Sequence, residues 1–156
     1  MDFNEYFEYR DGHLYWKVLH GRKNTIGKKA GFLYNNGYIG VGFKRKQYKV
    51  HRIIYELHHG YCPKFIDHIN GDNSDNRIEN LRAATRNQNG YNTKLNINST
   101  TGIKGVRLDK NTKKYRVSFR VNKEMKSFGS YFDKEVAKFV ADAMRYKYHG
   151  NFARFN

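Results

Sequence analysis

Residues 66–89 read IDHINGDNSDNRIENLRAATRNQN. These 24 residues hold Asp67, Asp72, Asp75, Glu79 and six asparagines. The chain around them is strongly basic, with 30 Lys+Arg against 14 Asp+Glu and a formal net charge of +16. A surface that only holds a polyanion gains nothing from such a cluster. A small metal site that cuts the polyanion needs one.

The charge is unevenly spread. Residues 1–12 carry a net −3, residues 13–50 carry +9 with no acid at all, residues 51–96 carry +1, and residues 97–156 carry +9. Two basic segments thus flank a nearly neutral middle. If the flanks hold phosphates, the middle is where something other than holding happens. A sequence pI near 9.9 points to nucleic acid. A membrane surface would call for an amphipathic helix with a basic face and a wide apolar face, and none stands out.

Cys62 is the only cysteine, so neither an internal disulfide nor a thiolate zinc cage is expected. A reducing, cytoplasmic setting fits. The N-terminal MDFNEYFEYRDG is acidic and lacks an apolar core, unlike a signal peptide. No run of 18 apolar residues occurs, so no membrane partner is expected.

The 156 residues are read as two small units. Residues 13–50 consist of short runs split by glycine and asparagine. Asn35-Asn36-Gly37 signals a turn, followed by a strand through Tyr38, Ile39 and Val41 and another from Gln47 to Val50. In HRIIYELHHG, residues 51–60, Ile53, Ile54 and Leu57 share one helical face and Gly60 stops the helix. Pro63 opens an extended segment, PKFID. The polar KLNINSTTGIKG, residues 94–105, reads as a linker and sets a domain boundary at 96/97. Beyond it, residues 103–109, 114–121 and 126–132 read as three strands. An amphipathic helix follows, N-capped by Asp133, with Val136, Ala137, Val140, Ala141 and Met144 on one face and Gly150 at its end.

Hydrolysis of a phosphodiester needs an activated water, a sink for negative charge and fixed geometry. A histidine can take the proton, and a carboxylate with a neutral oxygen donor can hold a hard cation that keeps open coordination sites. A side-chain amide can fix the histidine tautomer. The stretch offers each part. Asp67 and His68 end the extended segment, Asn80 follows 12 residues after His68, and Asn89 follows nine after Asn80, on a short helix that Thr85 could cap. A calcium loop starting at Asp72 fails, because its sixth and twelfth positions are Arg77 and Ala83. Asp72, Asp75 and Glu79 read as turn and solvation residues. Arg77 either pairs with one of them or touches a phosphate. Cys62 reads as a small buried residue. His13, His20, His58, His59 and His149 show no metal-ligand spacing.

DHINGDNSDNRIENLR followed by TRNQN resembles the HNH endonuclease family, in its phage and homing-endonuclease branch, as an H-N-N variant. The resemblance implies a β-rich module with a ββα-metal core, spanning residues 1–96 with its central motif at 51–92. It implies Asp67 and Asn89 as ligands of one Mg²⁺ (or Mn²⁺) ion, His68 as general base and Asn80 as the residue that orients His68. Asparagine in place of histidine at position 89 suits an oxygen-loving ion over zinc. His51 and Arg52, in VHRIIYELHHG, match a segment commonly found before this motif. His51 is taken as structural and Arg52 as DNA-binding.

In KYRVSFRV, one face carries Tyr115, Val117, Phe119 and Val121, and the other, with Arg107 from the preceding strand, presents Arg116, Ser118 and Arg120. Such a sheet can enter the major groove. The segment GVRLDK to NFARFN resembles the Apetala/ethylene-response-factor DNA-binding domain. That implies Lys104, Gly105, Arg107, Ser118, Arg120, Ser127 and Ser130 on a DNA-facing sheet in residues 97–156. Asp109, Met125 and Ser127 replace arginines and a tryptophan of that family's outer face, so its sequence preference does not carry over.

The expected fold is α+β: a β-rich HNH nuclease module, then a three-stranded antiparallel sheet with one helix. The expected function is metal-dependent endonucleolytic cleavage of double-stranded DNA, of phage or homing type, in the host bacterial cytoplasm if phage-encoded. A monomer should nick and a homodimer should break both strands. The alternatives are a DNA-binding regulator on an inactive nuclease scaffold and an RNA-acting nuclease or RNA binder.

Overall fold

The computed structural model describes residues 2–21 and 24–155. The chain separates into two compact units, Met1–Ala84 and Thr85–Asn156.

The first unit begins with a hairpin of β1, Phe7–Arg10, and β2, His13–Trp16. Asp11 and Gly12 turn it with φ of 42° and 76°, the double left-handed geometry of a two-residue hairpin loop. β1 is a strand not expected from the acidic N-terminal composition. The Asp-Gly pair between FEYR and HLYW was the signal for it. β3, Lys29–Ala30, pairs with β2 and completes the sheet. A second sheet has the order β4-β5-β6, from Phe32–Leu33, Ile39–Phe43 and Lys46–Lys49.

Helix α1, Val50–His59, starts at Val50, so the strand expected from Gln47 to Val50 ends one residue earlier, at Lys49. Gly60 closes it in the left-handed conformation at φ 74°, its N–H donating to the Glu56 carbonyl at 2.8 Å. α1 buries Val50, Ile53 and Ile54 against Phe7, Leu14, Trp16 and Phe43, so aromatics fill a small core. Cys62 is only half-buried at its edge. β7, Phe65–His68, and β8, Leu81–Ala84, then form an antiparallel pair.

The second unit opens with α2, Arg86–Tyr91. Thr85 caps it, with Gln88 completing a reciprocal capping box. β9, Val106–Leu108, β10, Tyr115–Val121, and β11, Glu124–Tyr131, form a sheet of order β11-β10-β9. α3, Lys134–His149, packs on this sheet, and its N-cap Asp133 accepts from the N–H groups of Glu135 and Val136. The core joins Ile103, Val106, Val117, Phe119 and Val121 to Ala137 and Ala141. Val136, expected on the apolar face, is 46% exposed. The buried line instead runs 137, 141, 145, 149, one residue per turn, and so ends in Arg145 and His149.

The division at 84/85 falls before the 96/97 boundary expected from composition. The physical reason is α2. Tyr91 stacks on His149 with ring centroids 3.7 Å apart, its hydroxyl donates to Asn122 Oδ1, and Lys104 donates to the Tyr91 and Thr93 carbonyls. These contacts tie α2 to the second unit. Among the described residues, no helix is long and apolar enough to cross a membrane.

Candidate active site

β7 ends in Asp67 and His68, and β8 opposes them with Arg82 and Leu81. All of these but Arg82 are buried. Arg82 binds the Asp67 carboxylate, Nε and Nη2 lying 2.8 and 2.7 Å from Oδ2. This ion pair, set by the cross-strand register, was not foreseen.

The loop between the two strands folds on its own polar side chains. Asn80 Oδ1 accepts from the Asn70 N–H at 2.9 Å. Its Nδ2 donates to the Asp75 carbonyl at 2.7 Å and to Asn70 Oδ1 at 3.1 Å. Asp75 receives the Arg77 guanidinium at 2.8 Å and the Asn70 amide at 2.7 Å. The Arg77 side chain, above all, holds the Asp75 carboxyl down at about 2. Of the two readings for Arg77, pairing within the cluster is the one seen. Asp72 closes a further turn onto Ser74, as a turn residue should.

This scaffold delivers Asn76, whose Oδ1 lies 3.1 Å from His68 Nε2. An amide oxygen accepts, so Nε2 carries the proton and Nδ1 carries the basic lone pair. Asn80 was expected to orient His68 directly. Its amide instead fixes the Asp75 carbonyl, one residue before Asn76, and so acts through the loop. Asn76 was missed because NSDN reads as turn chemistry, and one sequence does not reveal which asparagine turns inward.

Two other segments brace the site. Gly12 sits against the loop, where a Cβ would come within 2.9 Å of the Arg77 nitrogen and 3.2 Å of the Asn76 carbonyl carbon. The Ile78 N–H donates to the Tyr9 hydroxyl at 3.2 Å. On the other side, the rings of Tyr38, His51 and His68 form a cluster, His51 to His68 at 5.0 Å. Burial, then the neighbouring His68, push His51 down to about 3, so it is a neutral packing ring. Arg52, expected on DNA, donates to the carbonyls of Pro63 and Lys64 at 3.0 and 3.3 Å. It anchors the segment that leads into β7.

Among the described residues, no group of three or more His, Cys, Asp or Glu side chains could hold a metal ion. The oxygen donors around His68 are the Asp67 carboxylate, paired with Arg82, and the amide oxygens of Asn70, Asn76 and Asn80, which accept hydrogen bonds within the loop. Such a set fits a hard cation that keeps most of its water, and does not fit a zinc cage.

The family model for HNH endonucleases matches residues 48–91, the stretch from α1 through α2. The chain is also 32% identical to protein 3.8 of Escherichia phage T7 over 120 residues, which cover 71% of this chain and 98% of that protein. The chain belongs to the family of phage T7 protein 3.8. No solved structure matches it.

In this protein 3.8 relative the HNH match crosses the division between the two units, because Asn89 lies on α2 and Asp67, His68 and Asn80 lie in the first unit. The remaining expected residues sit in the second unit. Arg107 and Arg116 are exposed and directly opposite each other across β9 and β10. Arg120 is exposed farther along β10, and Ser118 is half-buried opposite Ser127. Like charges placed opposite each other cost stability, so this arginine pair is no aid to folding. Lys104 and Gly105 line one surface depression together with Arg107 and Ser118. Lys104 turns onto α2, and Gly105, at φ 75°, backs onto Arg145.

Proposed function

We propose that the protein is a metal-dependent endonuclease that hydrolyses phosphodiester bonds in double-stranded DNA. The single observation that carries this reading is the His68–Asn76 hydrogen bond beside Asp67 on a strand end within the HNH-matched segment.

His68 is the general base. Asn76 accepts from its Nε2–H, and Nδ1 takes the proton from the attacking water. Asn80 holds the loop that aims Asn76. Asp67 and, by the family spacing, Asn89 supply the oxygen donors for one Mg²⁺ or Mn²⁺ ion. When bound, that ion would supply positive charge for the scissile phosphate and the leaving oxygen. Arg82 fixes one Asp67 oxygen, which limits the carboxylate to one orientation. The exposed Arg107, Arg116 and Arg120 with Ser118 provide a sheet face for duplex DNA, consistent with the resemblance of residues 97–156 to the Apetala/ethylene-response-factor domain.

The test is supercoiled plasmid incubated with Mg²⁺ or with EDTA, using wild type and Asp67→Asn. Open circles formed by wild type with Mg²⁺ alone support the proposal. Equal nicking by Asp67→Asn would refute the metal role of Asp67, and no cutting of any DNA offered would refute the enzyme.

A further inference from the structure

Within the second unit, α2, β10 and the end of α3 border an open cavity of about 400 Å³. Six basic residues line it: Arg86, Lys104, Arg120, Lys123, Arg145 and His149. None of the described residues that line it carries a carboxylate.

Two of the six are deeply buried and lack a partner at one polar atom. Arg145 is 2% exposed and His149 is 9% exposed. Arg145 Nη1 and His149 Nδ1 have no hydrogen-bond partner. The guanidinium lies over the Phe119 ring, 5.1 Å from its centroid. It is seated against Gly105, where any Cβ would come within 2.5 Å of Nη2. Lys104 adds a half-buried ammonium that donates to the Tyr91 carbonyl at 3.0 Å. Burial, with Arg145 and Arg154 nearby, pushes Lys104 down to about 8, and burial pushes Arg145 down to about 10.

Packing does not require these charges. Position 145 continues the line of Ala137 and Ala141, and an apolar side chain there would extend the core. Asp142, three residues earlier on α3, offsets part of the Arg145 charge, but its carboxylate pairs with Lys138 and Arg145 Nη1 stays without a hydrogen-bond partner; a buried cation left short of partners destabilises a fold. It persists where a ligand supplies the missing charge, and perturbed charged groups converging on a cavity are a mark of such a site. A guanidinium fork and an ammonium together match the oxygens of a phosphate group, while His149, whose Nε2–H donates to the Arg120 carbonyl at 3.2 Å, shapes the wall. The cavity exceeds what phosphate alone fills, which leaves room for the attached sugar.

We infer that this cavity is a phosphate-binding subsite that receives the phosphate group of a nucleic-acid strand. Only the source of the phosphate rests on the proposed action on DNA. The binding itself is independent of cleavage.

The test is calorimetric titration of the full-length protein carrying His68→Ala, so that no probe is cut. The probes are inorganic phosphate, a short 5′-phosphorylated oligonucleotide and its 5′-hydroxyl counterpart. Arg145→Met and Lys104→Gln are each expected to weaken probe binding by about 10- to 100-fold, the range of a lost charge-assisted hydrogen bond. The Arg145→Met melting temperature should be unchanged or higher. Preference for the 5′-phosphorylated strand identifies a terminal phosphate as the occupant, and equal binding of both strands identifies an internal phosphodiester. Unchanged affinity in both variants, or no binding of any probe by the parent, would overturn the subsite. A failure of wild type to nick plasmid would instead bear on the nuclease reading and leave this titration standing.

Discussion

Asn76 Oδ1 stands 3.1 Å from His68 Nε2, and Asn76 is 1% exposed. The contact selects the tautomer that leaves Nδ1 basic. Asn76 is therefore a positioning residue. Asn76→Ala should lower kcat by about 10- to 100-fold with little change in KM, the effect of losing a residue that orients a reacting group. Asn76→Asp keeps an acceptor but sets a carboxylate against the ring. It should recover part of kcat and move the acidic limb of the pH–rate profile upward. A profile that stays in place would assign Asn76 a purely structural role.

Gly12 connects the N-terminal hairpin to that contact. A side chain at position 12 meets backbone at Arg77 and Asn76, and φ of 76° already disfavours any L residue. Gly12→Ala should destabilise the protein by roughly 1–3 kcal/mol and reduce the cleavage rate of the fraction that remains folded. Denaturant melts combined with single-turnover kinetics separate the two effects. Full activity in the folded variant would show that the hairpin does not steer the loop.

His51 makes stability depend on pH. Its folded value lies at about 3, whereas a free histidine titrates near 6.5. As pH falls through 6.5, the unfolded chain takes up a proton that the folded chain refuses. Stability contributed by the neutral ring is complete above 6.5, declines progressively down to 3 and is then exhausted, a loss of at most roughly 5 kcal/mol. His51→Phe should flatten the difference between denaturation at pH 7 and at pH 4. An unchanged pH dependence would place the acid sensitivity elsewhere.

Arg107 and Arg116 face each other on the exposed side of the second sheet. If they hold phosphates, the double variant Arg107→Gln, Arg116→Gln should lower the slope of log K against log[salt] by about 2. It should be as stable as wild type or more so, because two opposed like charges are gone. Lost stability with intact DNA affinity would contradict the assignment of this face.

Much of this was legible in the sequence where local chemistry and tertiary packing agree. The alternation of KYRVSFRV places Val117, Phe119 and Val121 in the core and the arginines outside. Asp133 and Gly150 bound α3, and Thr85 caps α2. Legibility ends where a polar side chain turns inward. Asn76 meeting His68, Arg82 meeting Asp67, and Arg52 turned to the Pro63 carbonyl are all set by partners distant in sequence. Arg145 and His149 continue an apolar line with polar side chains, a step that periodicity alone assigns to the solvent side. The early division of the chain follows from Tyr91 stacking on His149, a contact between residues that no local pattern links.

The measurement that tests the central claim most directly is the single-turnover cleavage rate of His68→Ala alongside its DNA affinity, both with Mg²⁺ present. The account predicts that cleavage falls by about 10²-fold or more, the share of a positioned general base, while affinity stays within a few-fold of wild type. Cleavage at the wild-type rate with affinity intact would contradict it, because the proton would then leave the attacking water by another route.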